Sequence, residues 1–378
     1  MKKPSRARKR CAMGSEGVLK AFGPWSEREE VSDALTRLLD ATSERESELA
    51  ECLAIVQRIY NDDADSWYQE WMRAAEVMRG GACSLADAGL LEAARRKWLR
   101  AVNYYEVAAS SIGSCPVRSQ SVDAGIRTCA LDYLSLGVRQ GEVVTIAWRP
   151  DYSLEACFLP ASDRPEPAPM VVCICEPGRR KEKSLLMLAG HAAERGLSLL
   201  VVDLLGPGPT SRFEDIVGHR DLETAIGSVM DYVCGRDDVD DGRIAILADD
   251  WSSSFVARGI ALDPRYAAAV CDAGLWDIHE RVCLSRRLTP DERACLPSAS
   301  DCRVARQIMC PLLVALPDRG WLRADIATRL VAQMKREHLD VTLKIFASDQ
   351  GGVCDAQSNA AIFDWIAARL AGAPKLPS

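Results

Sequence analysis

The amino-acid sequence predicts an α/β protein: a mostly parallel sheet of eight strands with helices on both faces, preceded by an all-helical region. Three observations lead there. From Leu136 onward, short apolar runs bounded by turn residues alternate with helix-compatible stretches. From about Ser26 to Ser111 the apolar spacing is helical, with no convincing strand. Finally, the apolar run Ile244 to Ala248 reads as a buried strand, and a tight turn leads from it into a helix-like segment at Ser253 to Leu262.

In chain order, Lys2, Lys3, Arg6, Arg8, Lys9 and Arg10 mark residues 1–15 as a basic, solvated tail. A helical cap domain is expected over residues 16–134, with helices near Glu27–Ala41, Glu44–Tyr60, Ser66–Gly80 and Ser84–Ala109, the last two separated by Gly80-Gly81. Ala93, Trp98, Leu99, Ala101, Val102 and Tyr105 recur at helical spacing in the last of these. The aromatics Trp67, Tyr68, Trp71, Trp98, Tyr104 and Tyr105 either pack as core or line a pocket for a flat ligand.

Residues 135–378 form the expected core domain. Its strands are read at Val143–Trp148, Leu154–Leu159, Met170–Cys175, Ser198–Leu204, Ile244–Ala248, Ala267–Asp272, Pro311–Leu316 and Val341–Phe346. Its helices are read at Glu182–Arg195, Leu222–Cys234, Ser253–Leu262, Ala324–Glu337 and Gln357–Ala371. Ligands of such sheets bind at the carboxyl ends of the strands, which is where the turn after Ala248 falls.

Composition narrows the classes. With 378 residues, 48% hydrophobic and 27% charged, the chain can build one large and one smaller domain. A net charge of −7 argues against a nucleic-acid partner, and no apolar run approaches the ~20 residues of a membrane span. Met1 to Arg10 has no apolar core of a secretory signal. The fifteen cysteines, odd in number and scattered, read as reduced residues of a cytoplasmic protein. Cys173 and Cys175 share one strand face and read as core filling, because no second pair has metal-ligand spacing. No metal and no cofactor is expected.

The stretch Ala248-Asp249-Asp250-Trp251-Ser252 has the layout of a nucleophile elbow, the G-x-S-x-G turn of α/β-hydrolases, with small residues two places either side of its centre. The centre is Asp250, where serine would stand. Further segments resemble one group of that superfamily. Trp67-Tyr68-Gln69-Glu70-Trp71 and Arg95 to Tyr105 are similar to its amino-terminal cap. Glu176-Pro177-Gly178-Arg179-Arg180-Lys181-Glu182 is similar to its Gly-x-x-x-x-Lys-Glu loop. Asp203-Leu204-Leu205-Gly206-Pro207-Gly208 resembles its Asp-x-Pro-Gly-x-Gly loop, and Asp263-Pro264-Arg265 resembles its Asp-Pro-Arg segment after the elbow helix. The group contains the dihydroxypseudooxynicotine hydrolase, the FrsA-like proteins and fungal chain-shortening hydrolases of pigment synthesis. The resemblance covers about residues 60–372 and implies an α/β-hydrolase fold with an N-terminal helical cap.

The resemblance also implies where a catalytic trio belongs. The serine position holds Asp250, the acid position Asp318 and the histidine position Asp355, with Cys354 as the neighbour if the alignment shifts by one. Ser252, Ser253 and Ser254 lie past the turn, so serine hydrolysis lacks both its nucleophile and its base. Like charges in a poorly solvated pocket do not all ionise easily, so one carboxyl becomes an acid and another a base. The backbone N–H groups of Trp251, Gly178 and Arg179 are expected to form an oxyanion site, here for an enolate or phenolate. Trp276, Asp277 and His279 lie where this fold often places substrate contacts. Of the other histidines, His219 falls in a region that could approach the site, while His191 and His338 lie in or at the end of helices, away from the strand ends.

The expected activity is non-hydrolytic: carbon–carbon bond formation, cyclisation or cleavage on a polycyclic aromatic or polyketide-like intermediate. Two other readings stand beside it, a hydrolase with an aspartate nucleophile and a binding module without turnover. The expected partner is a small molecule, with a homodimer through the cap as a further option.

Overall fold

The computed structural model describes residues 31, 35, 38, 45–60, 63–111, 113, 115–136, 140–149, 152–161, 166–176, 179–204, 222–249, 252–272, 307–318, 324–336, 340–346 and 356–372. These form α1 (Arg45–Val56), α2 (Ala64–Asp87), α3 (Leu91–Ala109), α4 (Pro116–Leu134), β1 (Glu142–Arg149), β2 (Tyr152–Leu159), β3 (Ala168–Ile174), α5 (Lys181–Glu194), β4 (Ser198–Asp203), α6 (Leu222–Cys234), β5 (Val239–Ala248), α7 (Ser253–Leu262), β6 (Ala268–Asp272), β7 (Leu312–Pro317), α8 (Ala324–Arg336), β8 (Val341–Phe346) and α9 (Ala356–Ala371). All eight expected strands are present.

The sheet order is β1-β2-β4-β3-β5-β6-β7-β8. The β1–β2 and β2–β4 pairs are antiparallel, and every later pair is parallel. Helices cover both faces, as the apolar, doubly buried strands require. On one face Leu185, Leu188 and Ala189 of α5 pack with Ile362, Phe363 and Ile366 of α9 and Ala130 of α4 over Val171, Cys173, Ala245 and Leu247. On the other, Ile226, Val229 and Met230 of α6 and Val256 and Ile260 of α7 cover Val172, Ile174, Ile244 and Ile246.

The chain divides into two compact units, Met1–Met78 with Arg100–Gly125, and Arg79–Leu99 with Ile126–Ser378. In the first, Trp67, Trp71, Tyr104 and Tyr105 are fully buried. Trp67 and Trp71 lie 5.7 Å apart and Trp71 meets Tyr104 edge-on at 5.3 Å. The Trp67 indole donates to the Val107 carbonyl (3.0 Å), and the Tyr105 hydroxyl donates to Glu76 (2.6 Å). In the second unit Trp98 is buried and packs edge-on against Tyr133. These five aromatics are therefore core, not the walls of a pocket for a flat ligand. Positions i and i+4 on one helix share a face, and here that face points inward.

Two expectations about the helices change. Gly80-Gly81 does not break a helix, since α2 runs through both. Gly81 lies against Lys97, whose Nζ would sit 2.7 Å from an added Cβ, so close approach explains this glycine. The break falls at Gly89, with φ +76. There the Leu90 amide donates to the Leu85 carbonyl and the Gly89 amide to that of Ala86, the paired bonds of a Schellman cap. Helix α4 was not expected at all. Val122, Ile126, Ala130 and Leu134 give it a buried stripe, and Pro116 opens its first turn, but its many polar residues hide the period. Among the described residues no helix is long and apolar enough to cross a membrane.

Two glycine substitutions should move stability in opposite directions. Gly80 is exposed with open space beside it, so Gly80→Ala should stabilise by about 1 kcal/mol through helix propensity. A Cβ on Gly259 of α7 would collide with the branched side chain of Ile226 on α6. Overpacking of about 1–3 kcal/mol then outweighs the propensity gain, and Gly259→Ala should lower the midpoint of thermal unfolding.

Candidate active site

The site is built on the central parallel pair β3 and β5, whose register aligns Ile174 with Ala248. Two loops leave these strands at their carboxyl ends. One carries Glu176 and Arg179 into α5, and the other runs from Asp249 to α7. The Asp249 amide continues the ladder by donating to the Ile174 carbonyl at 3.0 Å. The Ser252 amide donates to the Asp249 carbonyl at 3.0 Å, and the Ser252 hydroxyl donates to Ile174 O at 2.9 Å. Ser252 is 1% exposed. Its hydroxyl is thus spent on the strand beside it, as expected for a serine past the turn.

Asp250, Trp251 and Gly178 lie outside the described residues, as do Asp355, Cys354, Trp276, Asp277, His279, His219 and His338. Asp318 is described. It directly follows β7, its side chain is exposed and its amide donates to the Phe346 carbonyl at 2.7 Å. Because β6 alone separates β5 from β7, the ends of β5 and β7 lie about 10 Å apart at the same edge of the sheet. Helix α9 begins at Ala356, the residue after Asp355.

Arg179 behaves differently from expectation. Its backbone N–H donates to the Glu176 carbonyl at 2.9 Å and so is engaged within its own loop, not free as an oxyanion donor. Its side chain instead reaches the elbow. The guanidinium Nε lies 2.9 Å from Asp249 Oδ2, and Nη2 lies 3.0 Å from Glu176 Oε2. The Glu176 amide also points at Asp249 Oδ2, at 3.4 Å. Arg179 and Asp249 are 17% and 10% exposed at the side chain, so this pair is largely shielded from solvent screening. Sequence reasoning missed Asp249. The signal was there: an acid directly after one central strand and an arginine shortly after its parallel neighbour.

Arg179, Asp249, Ser184 and Cys173 border a small cleft of about 10 Å³ whose remaining walls are Met187, Leu188 and Leu247. That is room for about one water molecule, so it is not where a polycyclic substrate would sit. The hydrogen bond with Cys175, then burial, pushes the Cys173 thiol well up, and both cysteines are buried. This fits the reading of the pair as core thiols. Lys181 and Glu182, the Lys-Glu of the loop motif, are buried and lie 3.0 Å apart, with Glu155 at 3.5 Å from the ammonium. Burial by itself would lower the lysine; the Glu182 and Glu155 carboxylates outweigh it and raise it. Among the described residues no group of His, Cys, Asp or Glu could hold a metal ion.

No protein-family profile matches the chain. Over 261 residues it is 26% identical to the hydrolyase poxO of Penicillium oxalicum, covering 65% of this chain and 61% of that protein. Over 247 residues it is 28% identical to the alpha/beta hydrolase gkaG of Penicillium citrinum, covering 62% and 57%. The match thus spans less than two thirds of these relatives. Its fold is similar to that of a 2,6-dihydroxy-pseudo-oxynicotine hydrolase, with a TM-score of 0.63 at 18% identity over 89% of this chain and 96% of the other. The sheet order and these likenesses give the chain an α/β-hydrolase fold.

Two buried serines near the elbow should respond differently to substitution. Ser252→Ala removes the bond to Ile174 and should cost about 1 kcal/mol. Ser184→Ala removes a buried hydroxyl that has no hydrogen-bond partner among the described residues, so it should be neutral or stabilising. Denaturant titration of the two variants measures the contrast.

Proposed function

We propose that this chain is a non-hydrolytic enzyme on an α/β-hydrolase scaffold. Asp250, Asp318 and Asp355 act as its acid–base carboxylates, and the backbone N–H groups of Trp251 and Gly178 hold an oxyanion. The substrate class is an enolisable polycyclic aromatic or polyketide-like carbonyl compound. The reaction is carbon–carbon bond formation, cyclisation, retro-aldol cleavage or dehydration.

The observation that carries this reading is at the elbow. The sequence puts Asp250 at its centre, while the hydroxyl of Ser252 is buried and bonded to Ile174. An aspartate there keeps the fold's anion-stabilising position but brings proton transfer in place of acyl transfer. Asp318 follows β7 at the same sheet edge, where a second carboxylate can serve. One relative is named a hydrolyase, which agrees with lyase chemistry. The name of another, an alpha/beta hydrolase, favours the second reading, in which Asp250 attacks carbon and forms an ester that water cleaves.

Steady-state turnover of a panel of enolisable polycyclic ketones tests the first reading. Asp250→Asn, Asp318→Asn and Asp355→Asn should each lower kcat by about 10²–10⁴-fold. The wild-type rate should follow a bell in pH, falling at low pH as the base is protonated and at high pH as the acid ionises. Unchanged turnover in all three variants sinks the proposal. Single turnover in ¹⁸O-water separates the two readings, because only a nucleophilic Asp250 exchanges label into its own carboxylate.

A further inference from the structure

We propose that Arg179 and Asp249 form a positioning clamp that fixes the β3–α5 loop against the elbow and so sets the geometry of the proposed anion site. The two loops belong to neighbouring strands. Beyond the last ladder bond, from the Asp249 amide to Ile174, they are joined through the Asp249 carboxylate. That carboxylate takes the Arg179 Nε–H at 2.9 Å and faces the Glu176 amide at 3.4 Å. Arg179 is also held through Nη2 by Glu176 Oε2 at 3.0 Å, so its guanidinium is fixed in direction as well as in charge.

The position of the clamp gives it its role. Asp249 is the residue before the elbow's centre, and Arg179 directly follows Gly178. A shift of either loop changes the separation of the two N–H groups assigned to the oxyanion, and such sites tolerate displacements of only about 0.5 Å. Removing Arg179 leaves the Asp249 carboxylate charged and poorly solvated, and removing Asp249 leaves Arg179 paired with Glu176 of its own loop; either way this tie between the loops is lost. Lysine cannot replace Arg179, because an ammonium on a flexible stem does not make two directed contacts in one plane. Neither residue touches substrate in this account; both act through the loops they hold. The inference rests on the anion-site reading for its functional half only.

Hydrogen exchange measured by mass spectrometry on the full chain tests the clamp. Asp249→Asn and Arg179→Lys should each speed exchange about tenfold in peptides covering residues 174–183 and 246–256, with β4 and β7 unchanged. The double variant should be no faster than either single one, as expected for partners in one interaction. Unchanged exchange in these peptides, uniform acceleration across the sheet, or additive effects overturn the clamp. Titration with 4-nitrophenol, followed at the phenolate absorbance, tests the functional half. Wild type should bind the phenolate form, and both variants should bind it about tenfold more weakly. Locally faster exchange with unchanged phenolate affinity overturns the claim that the clamp sets the site. Absence of phenolate binding by the wild type overturns the anion-site reading instead, and the exchange result alone then judges the clamp.

Discussion

The carbonyl of Ile174 is the point on which the elbow depends. It ends β3, and the parallel register with β5 brings it level with Ala248. From there it accepts two hydrogen bonds, from the Asp249 amide and from the Ser252 hydroxyl. A carbonyl has two lone pairs, so both bonds can be made at once. One prolongs the ladder by a residue and the other draws the start of α7 down onto the sheet. The small side chain at 252 follows from this, since a larger one would hold the helix off the strand. Burial of β3 and β5 on both faces keeps the register from slipping, because a one-residue shift would exchange the two cores.

The core unit was legible for this reason. Each central strand is a short apolar run bounded by polar or turn residues, and doubly buried parallel strands have to read that way. The helical part was harder. In α4 the buried positions are spaced for a helix, but Ala130 and Cys129 are weak apolar signals among serines, arginines and aspartate. Gly80-Gly81 misled because a glycine pair reads as a break, whereas packing against Lys97 is a tertiary fact that no local pattern carries. The aromatics of α2 and α3 were seen, but whether a buried face meets core or ligand is not a matter of periodicity.

The motifs that carry the resemblance have structural work in this chain. Asp263 holds Arg265 through its carboxylate at 2.6 Å and accepts the Arg265 amide at 3.1 Å, which fixes the turn between α7 and β6. Lys181 and Glu182 pair where α5 starts beneath β2's Glu155. Such residues report the fold. They are silent about any reaction, which on the proposed reading lies in the few side chains around the elbow. The ion pair at Asp249 belongs to the second kind and has no motif of its own, because its partners lie 70 residues apart in sequence.

The clamp also bears on the electrostatics of the proposed chemistry. Glu176, Arg179 and Asp249 bring two carboxylates and one guanidinium together beside the elbow. A carboxylate held in a poorly solvated place disfavours ionisation of any further carboxyl nearby. An enzyme that needs one protonated carboxyl next to an ionised one gains from such a neighbour, since it separates the two proton affinities without any change of residue type, while the oxyanion that enzyme forms is left to the backbone N–H groups. On the acid–base reading, then, Asp249 serves twice: its contact with Arg179 sets distance, and its carboxylate favours the acid form of a carboxyl next to it.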